Sequence, residues 1–305
     1  MIGRTLGLGV ALGLGCLAEP AAAEPAAAAP AAAAPASDTR RLNWRYRRPG
    51  GWEYAATASV AVAAIYVEFA TEQPLEPKWS STLAYEPPVR DALKLDSASA
   101  REQASRLSDY LGLATQAWAY LDASLVPLLS DGGNLDVAWQ MTFINLQASA
   151  FTALSTRGID RLVARERPDV DPCLEDPNYH EMCFKGPASS FPSGHTSGAF
   201  TGAGLVCAHH LYLPLYGHRA ADLAACGVSG ALAISVGMLR MHADRHYVTD
   251  VVAGAAIGTL TGFAVPVLGH YWFVEVSHGP GVASRWTAVP QVSASHGGVS
   301  VLGSL

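Results

Sequence analysis

Charge is scarce in this chain of 305 residues. Asp, Glu, Lys and Arg make up 15% of it, against roughly 25% in an average soluble domain. That shortage argues against a fully water-facing surface and points to membrane-spanning or deeply buried helices. A basic excess is also missing. The net charge is -6, so there is no electrostatic footprint for nucleic acid and no such partner is expected. The five Cys lack metal-ligand spacing, so they give no sign of a metal or other cofactor. Strand-type alternation is absent before residue 285, and there is no internal repeat. The chain therefore reads as helical.

Each cysteine has its own setting. Cys16 lies near the start. Cys207 and Cys226 sit in apolar helical stretches, where buried thiols are expected. Cys173 and Cys183 share one polar loop and can pair if it faces an oxidising compartment.

Residues 1 to 23 have the form of a secretory leader: Arg4, an apolar run from Leu6 to Leu17, and Ala21-Ala22-Ala23 as a small-residue cleavage site. Residues 24–49 continue as an Ala/Pro tether and a basic segment with Arg40, Arg41, Arg45, Arg47 and Arg48. Six apolar helical stretches follow, near 54–70, 107–129, 136–158, 196–214, 221–239 and 251–273. A bilayer crossing needs about 20 apolar residues, and the third to sixth are expected to reach that length. The second contains Gln116 and Asp122, which would have to face the bundle interior. The loop 71–106 is rich in Pro and charge, with a short amphipathic helix expected around 98–109. The tail 276–305 is flexible or a small hairpin, with strands at Val289–Ser293 and Val299–Leu302 about a turn at His296. His278 and His296 read as solvated.

Three short pieces carry chemistry. The first is Arg161 to Pro168. Pro168 disfavours helical geometry at Arg167, so the third helix is expected to end there. Its guanidinium groups suit phosphate, because they donate two parallel hydrogen bonds; they equally suit a basic anchor at a membrane boundary. The second is Pro192-Ser193-Gly194-His195, just before the fourth apolar stretch. A helix start offers unpaired N–H groups to an anion. Ser193 adds a hydroxyl, Gly194 allows close approach, and His195 is placed to protonate a leaving oxygen. Ordinary N-capping by Ser193 is the plainer alternative. The third is Arg240, His246 and Asp250, across the turn between the fifth and sixth stretches. A carboxylate four residues past an imidazole on a helix can take a proton from one ring nitrogen and leave the other free to attack. The same residues also fit a boundary ion pair.

Taken in order, these pieces resemble the type 2 phosphatidic acid phosphatase and vanadium haloperoxidase superfamily, whose pattern is Lys-x6-Arg-Pro, then Pro-Ser-Gly-His, then Arg-x5-His-x3-Asp. The match is Arg167-Pro168, Pro192 to His195, and Arg240, His246 and Asp250, within roughly residues 50 to 273. One position departs: the family Lys falls at Asp160. Arg161 is its expected substitute, with Arg165 as the fallback.

The resemblance implies an all-α, six-helix, transmembrane bundle over residues 50–275 with its active site at the outer mouth. It implies a metal-independent phosphatase acting through a phosphohistidine. His246 would attack phosphorus, oriented by Asp250, and His195 would protonate the leaving group. Arg161, Arg167, Ser193, Gly194 and Arg240 would hold the phosphate oxygens. A phosphorylated membrane lipid or isoprenoid is the expected substrate. The location expected is a bacterial-type inner membrane with the site facing the periplasm. A soluble periplasmic acid phosphatase and a vanadium haloperoxidase are the alternatives.

Overall fold

The computed structural model describes residues 42–130, 133–180, 183 and 188–272, and the backbone of 285–292 and 297–304. The leader, the tether, Arg40 and Arg41, His278 and the turn at His296 lie outside those residues.

The described residues hold eight α-helices rather than six. Six are long: α1 (Gly51–Ala70), α3 (Ala98–Leu129), α4 (Leu135–Val163), α6 (Gly194–Tyr212), α7 (Arg219–His242) and α8 (Val248–Thr259), which runs on through two π-helical turns to Tyr271. Two are short: α2 (Glu86–Leu93) and α5 (Val170–Glu175). The amphipathic helix expected around 98–109 is no separate element but the first third of α3, which starts at the cap Ser97, whose hydroxyl accepts from Ala100 N–H. A terminal antiparallel hairpin joins β1 (Arg285–Val292) to β2 (Gly297–Ser304), with Val289 opposite Ser300.

α4 ends earlier than Pro168 alone predicts. Its last residue is Val163, and Ala164 turns left-handed at φ 45°. The chain then runs extended, and Trp79 pairs with Arg165 in a short parallel bridge. This frees Arg165 and Arg167 from the helix.

α6 is the central helix, packed by α3, α4, α7 and α8. Glycines make the closest of these contacts possible. On α8 and its π-helical continuation, Gly254, Gly258 and Gly262 recur every four residues on one face. A Cβ there would lie 2.5 Å from Ser193 O, 2.3 Å from Ser197 O and 2.3 Å from Thr201 O respectively. The two helices therefore touch backbone to backbone, the small-residue packing used where lipid tails remove the usual hydrophobic drive. Gly258→Val forces an isopropyl group into Ser197 and Phe200. It should lower stability by about 3 kcal/mol, the upper end for overpacking, read as a fall in the unfolding midpoint.

The end of the bundle around the C-terminus of α6 is held by aromatics and buried polar pairs. Trp44 and Tyr46 pack on Tyr271, and Tyr271 stacks on Tyr212 at 4.8 Å. His210 bonds Asp222 at 2.7 Å and Asp122 at 3.0 Å. Asp122 thus faces the interior as its helix requires. Gln116 instead borders a cavity open to the exterior. Cys207 and Cys226 are joined in a disulfide between α6 and α7, not free thiols; each sits in an apolar helix, so neither local sequence reveals the other. Cys173 and Cys183 are also paired.

Among the described residues, two helical segments, Arg219–His242 and Val248–Tyr271, are long and apolar enough to cross a membrane. The third and fourth stretches, now α4 and α6, do not meet that standard, because threonines, amides and histidines interrupt them. The outer faces of α1, α3, α7 and α8 still carry exposed Val62, Ile65, Phe69, Leu125, Ile234 and Val252.

Candidate active site

The three chemical pieces meet at the N-terminal end of α6 and are laced together by hydrogen bonds. Ser190 N–H donates to Arg165 O at 3.0 Å, and Ser193 N–H donates to Asp250 O at 2.9 Å. The Ser190 hydroxyl donates to Asp250 Oδ2 at 2.7 Å. The Phe191–Pro192 peptide between them is cis.

His246 is buried and lines a cavity of about 410 Å³. Its Nδ1 lies 2.8 Å from Ser190 O. A carbonyl can only accept, so Nδ1 carries the proton and Nε2 keeps its lone pair. Burial, with Arg167 and Arg240 nearby, holds this imidazole well below the ordinary His range. The ring is therefore neutral. Asp250 Oδ2 is 3.8 Å from Nδ1, beyond hydrogen-bonding distance. The sequence expectation that Asp250 takes the ring proton directly is thus corrected: the Ser190 carbonyl takes it, and Asp250 fixes Ser190.

Asp250 is in turn held by Arg165. One Arg165 Nη donates to Asp250 Oδ1 at 2.7 Å and to Thr249 Oγ1 at 2.7 Å; the other donates to Glu86 Oε2 at 2.6 Å. The guanidinium packs over the rings of Trp79 at 3.9 Å and Tyr247 at 4.3 Å, two cation–π contacts. Arg165 is therefore buried structure and not a spare phosphate ligand.

Arg161 does not line the cavity. It reaches back to α1, donating to Thr71 Oγ1 at 3.3 Å, and to Asp160 Oδ2 at 3.1 Å. Its neighbour Asp160 does line the cavity, together with Arg157 and Arg167. The one-residue shift from the family Lys turns the side chain about 100° around the helix. Arg167 hangs from Ser189, donating to its Oγ at 3.2 Å.

Ser193 is fully buried and caps α6. Its Oγ accepts from Thr196 Oγ1 at 2.9 Å and Thr196 N–H at 3.4 Å. Its hydroxyl follows the capping alternative, while Gly194 and His195 line the cavity. His195 Nε2 is 3.0 Å from Asp109 Oδ1, and the same oxygen accepts from Arg240 at 3.2 Å. Arg240 also donates to Ser105 and Ser108 and reaches the cavity through Asp109. Burial and the cations Arg240 and Arg167 hold His195 below its ordinary range. An anion in the cavity would offset them and let His195 carry a proton.

Glu86, Asp109, Arg157 and Ser190 escaped sequence reasoning. Ser190 adjoins the second piece and had a positional signal. Glu86 and Asp109 belong to a Pro-rich loop region and a long helix, with nothing local to mark them.

Residues 139–273 match the family model described as the PAP2 superfamily. This segment is what the chain shares with that family. It spans α4 to the end of α8 and holds all three pieces. A lipid A 1-phosphatase of Porphyromonas gingivalis is 39% identical over 75 residues, a stretch covering 25% of this chain and 15% of that relative. A solved structure titled as the first transmembrane PAP2-type phosphatidylglycerolphosphate phosphatase, from Bacillus subtilis, aligns over 72% of this chain and 87% of its own, with 19% identity and a TM-score of 0.38.

Proposed function

We propose that the protein is a metal-independent phosphatase of a phosphorylated membrane lipid, working through a phosphohistidine. The observation that carries this reading is the His246 tautomer. A buried, neutral imidazole with Nδ1–H committed to Ser190 O lines the cavity and keeps the lone pair on Nε2.

In the proposed reaction, Nε2 attacks phosphorus as the bond to the leaving oxygen breaks. His195 gives that oxygen its proton. A water molecule, deprotonated by the same imidazole, then breaks the P–N bond and releases phosphate. Arg167, the N–H groups at the start of α6 and Arg240 supply the positive field for the phosphoryl oxygens. Arg161 has no part in this step.

Support for a membrane setting comes from the two crossing-length segments and the apolar outer faces. The basic segment containing Arg47 and Arg48 packs near the C-terminal end of α6, while the site is at its N-terminal end. α6 has 19 residues, so about 28 Å separate the two ends. Positive charge favours the cytoplasmic side. The proposed orientation therefore places the site outside, on the periplasmic face of an inner membrane, where the Cys173–Cys183 disulfide would also persist.

The test is phosphate release from a panel of lipid and water-soluble phosphates in the presence of a chelator. Release should be faster from the lipids. Preference for soluble monoesters, with extraction in the absence of detergent, would move the assignment to a soluble periplasmic acid phosphatase. No release from any member would refute the phosphatase reading.

A further inference from the structure

The cavity has an acidic component that phosphate binding does not explain. Asp160 is 3% exposed and lines the cavity. Its Oδ2 takes the Arg161 guanidinium, whereas Oδ1 is buried without a hydrogen-bond partner among the described residues. An unpaired buried carboxylate oxygen is costly. Asp109 puts a second carboxylate on the cavity wall beside His195. Between them the wall is rich in neutral polar groups, including Gln116, Ser149, Thr152 and Thr156.

These groups sort substrates by what is attached to the phosphate. Two carboxylates repel a second phosphate. A carboxylate set in a low-dielectric wall favours a hydroxyl or ammonium donor over a second anion. We propose that Asp160, seconded by Asp109, is a specificity-determining residue selecting phosphomonoesters whose alcohol carries a hydrogen-bond donor near the phosphate, and rejecting diphosphates. This rests on the phosphatase reading above.

The charges facing Asp160 are Arg157 and Arg161 on its own helix, Arg167 after it and Glu68 on α1. Burial pushes the Asp160 carboxyl up to about 6, so an assay at pH 8 tests it ionised.

The experiment compares kcat/KM at pH 8 for lysophosphatidic acid, dodecyl phosphate and dodecyl diphosphate, in the wild-type chain and in Asp160→Asn and Asp109→Asn. In the wild type, dodecyl phosphate should exceed dodecyl diphosphate by at least about tenfold, and lysophosphatidic acid, with its free hydroxyl, should exceed dodecyl phosphate. Asp160→Asn should shrink both ratios severalfold, and Asp109→Asn should shrink the diphosphate ratio. Ratios within one variant cancel any loss of folded protein. Equal use of the diphosphate by the wild type, or unchanged ratios in Asp160→Asn, would overturn the proposal while leaving the phosphatase reading intact. Turnover of none of the three would overturn both.

Discussion

His246→Ala should reduce phosphate release by at least about 10⁴-fold in kcat, the scale seen when a nucleophile is removed and the surrounding site is left in place. The side chain lines the cavity, with one ring nitrogen held by the Ser190 carbonyl and the other left with its lone pair. Among the described residues no neighbouring group is set up in the same way: His195 is shared with Asp109. A phosphoryl label trapped by rapid acid-free quenching should be stable in base, labile in acid and missing from the variant. Retention of more than a few per cent of wild-type kcat, or the same label in His246→Ala, would eliminate the proposed intermediate.

Arg165→Ala should be nearly as damaging, by another route. The guanidinium is 1% exposed and sits between Glu86 and Asp250, both 0% exposed at the side chain. Its removal leaves two buried carboxylates facing each other without a cation, a loss of about 3–5 kcal/mol when one partner of a buried pair is deleted. That is a large share of the roughly 5–15 kcal/mol that holds a typical protein folded. The unfolding midpoint should fall sharply. In whatever folded protein remains, kcat should fall further than 1/KM, because Asp250 and Ser190 no longer fix the nucleophile. Arg165→Lys keeps the charge but not the planar fork that reaches Glu86, Thr249 and Asp250 at once, so it should recover only part of the loss. An unchanged midpoint in Arg165→Ala would show that this pair does not brace the site.

Much of this was legible because the site is built from segments adjacent to helix ends. The apolar runs placed the six long helices within a few residues at most of their ends. Pro192 to His195 fell at the start of α6 because Ser193 is a good cap and Gly194 opens the helix. Spacing was less informative about direction. Arg161 and Arg165 are four apart in sequence, yet one points to α1 and the other is buried between Glu86 and Asp250; the left-handed turn at Ala164, which separates them, has no Gly to announce it. The His246 and Asp250 spacing fitted a direct pair, but the Ser190 carbonyl intervenes from a segment 56 residues away. Long-range partners of this kind, with the Cys207–Cys226 bond and the carboxylates of Asp109 and Asp160 on the cavity wall, depend on packing and leave no periodic trace.

The glycine seam between α6 and α8 bears on how such an enzyme can change. Ser193 caps one helix and Asp250 sits in the first turn of the other, and their backbones are in contact at Gly254, Gly258 and Gly262. His195 and His246 are thereby mounted on one plate whose two halves have no room to slide. Gly202 likewise packs against the Thr115 backbone of α3, where a Cβ would lie 2.7 Å from Thr115 O. New substrates are then reached by exchanging side chains on the cavity faces of α3 and α4, at positions such as Gln116, Ser149 and Asp160, and not by moving helices. The two histidines and these three side chains sit on different elements, so one set can diversify while the other stays fixed.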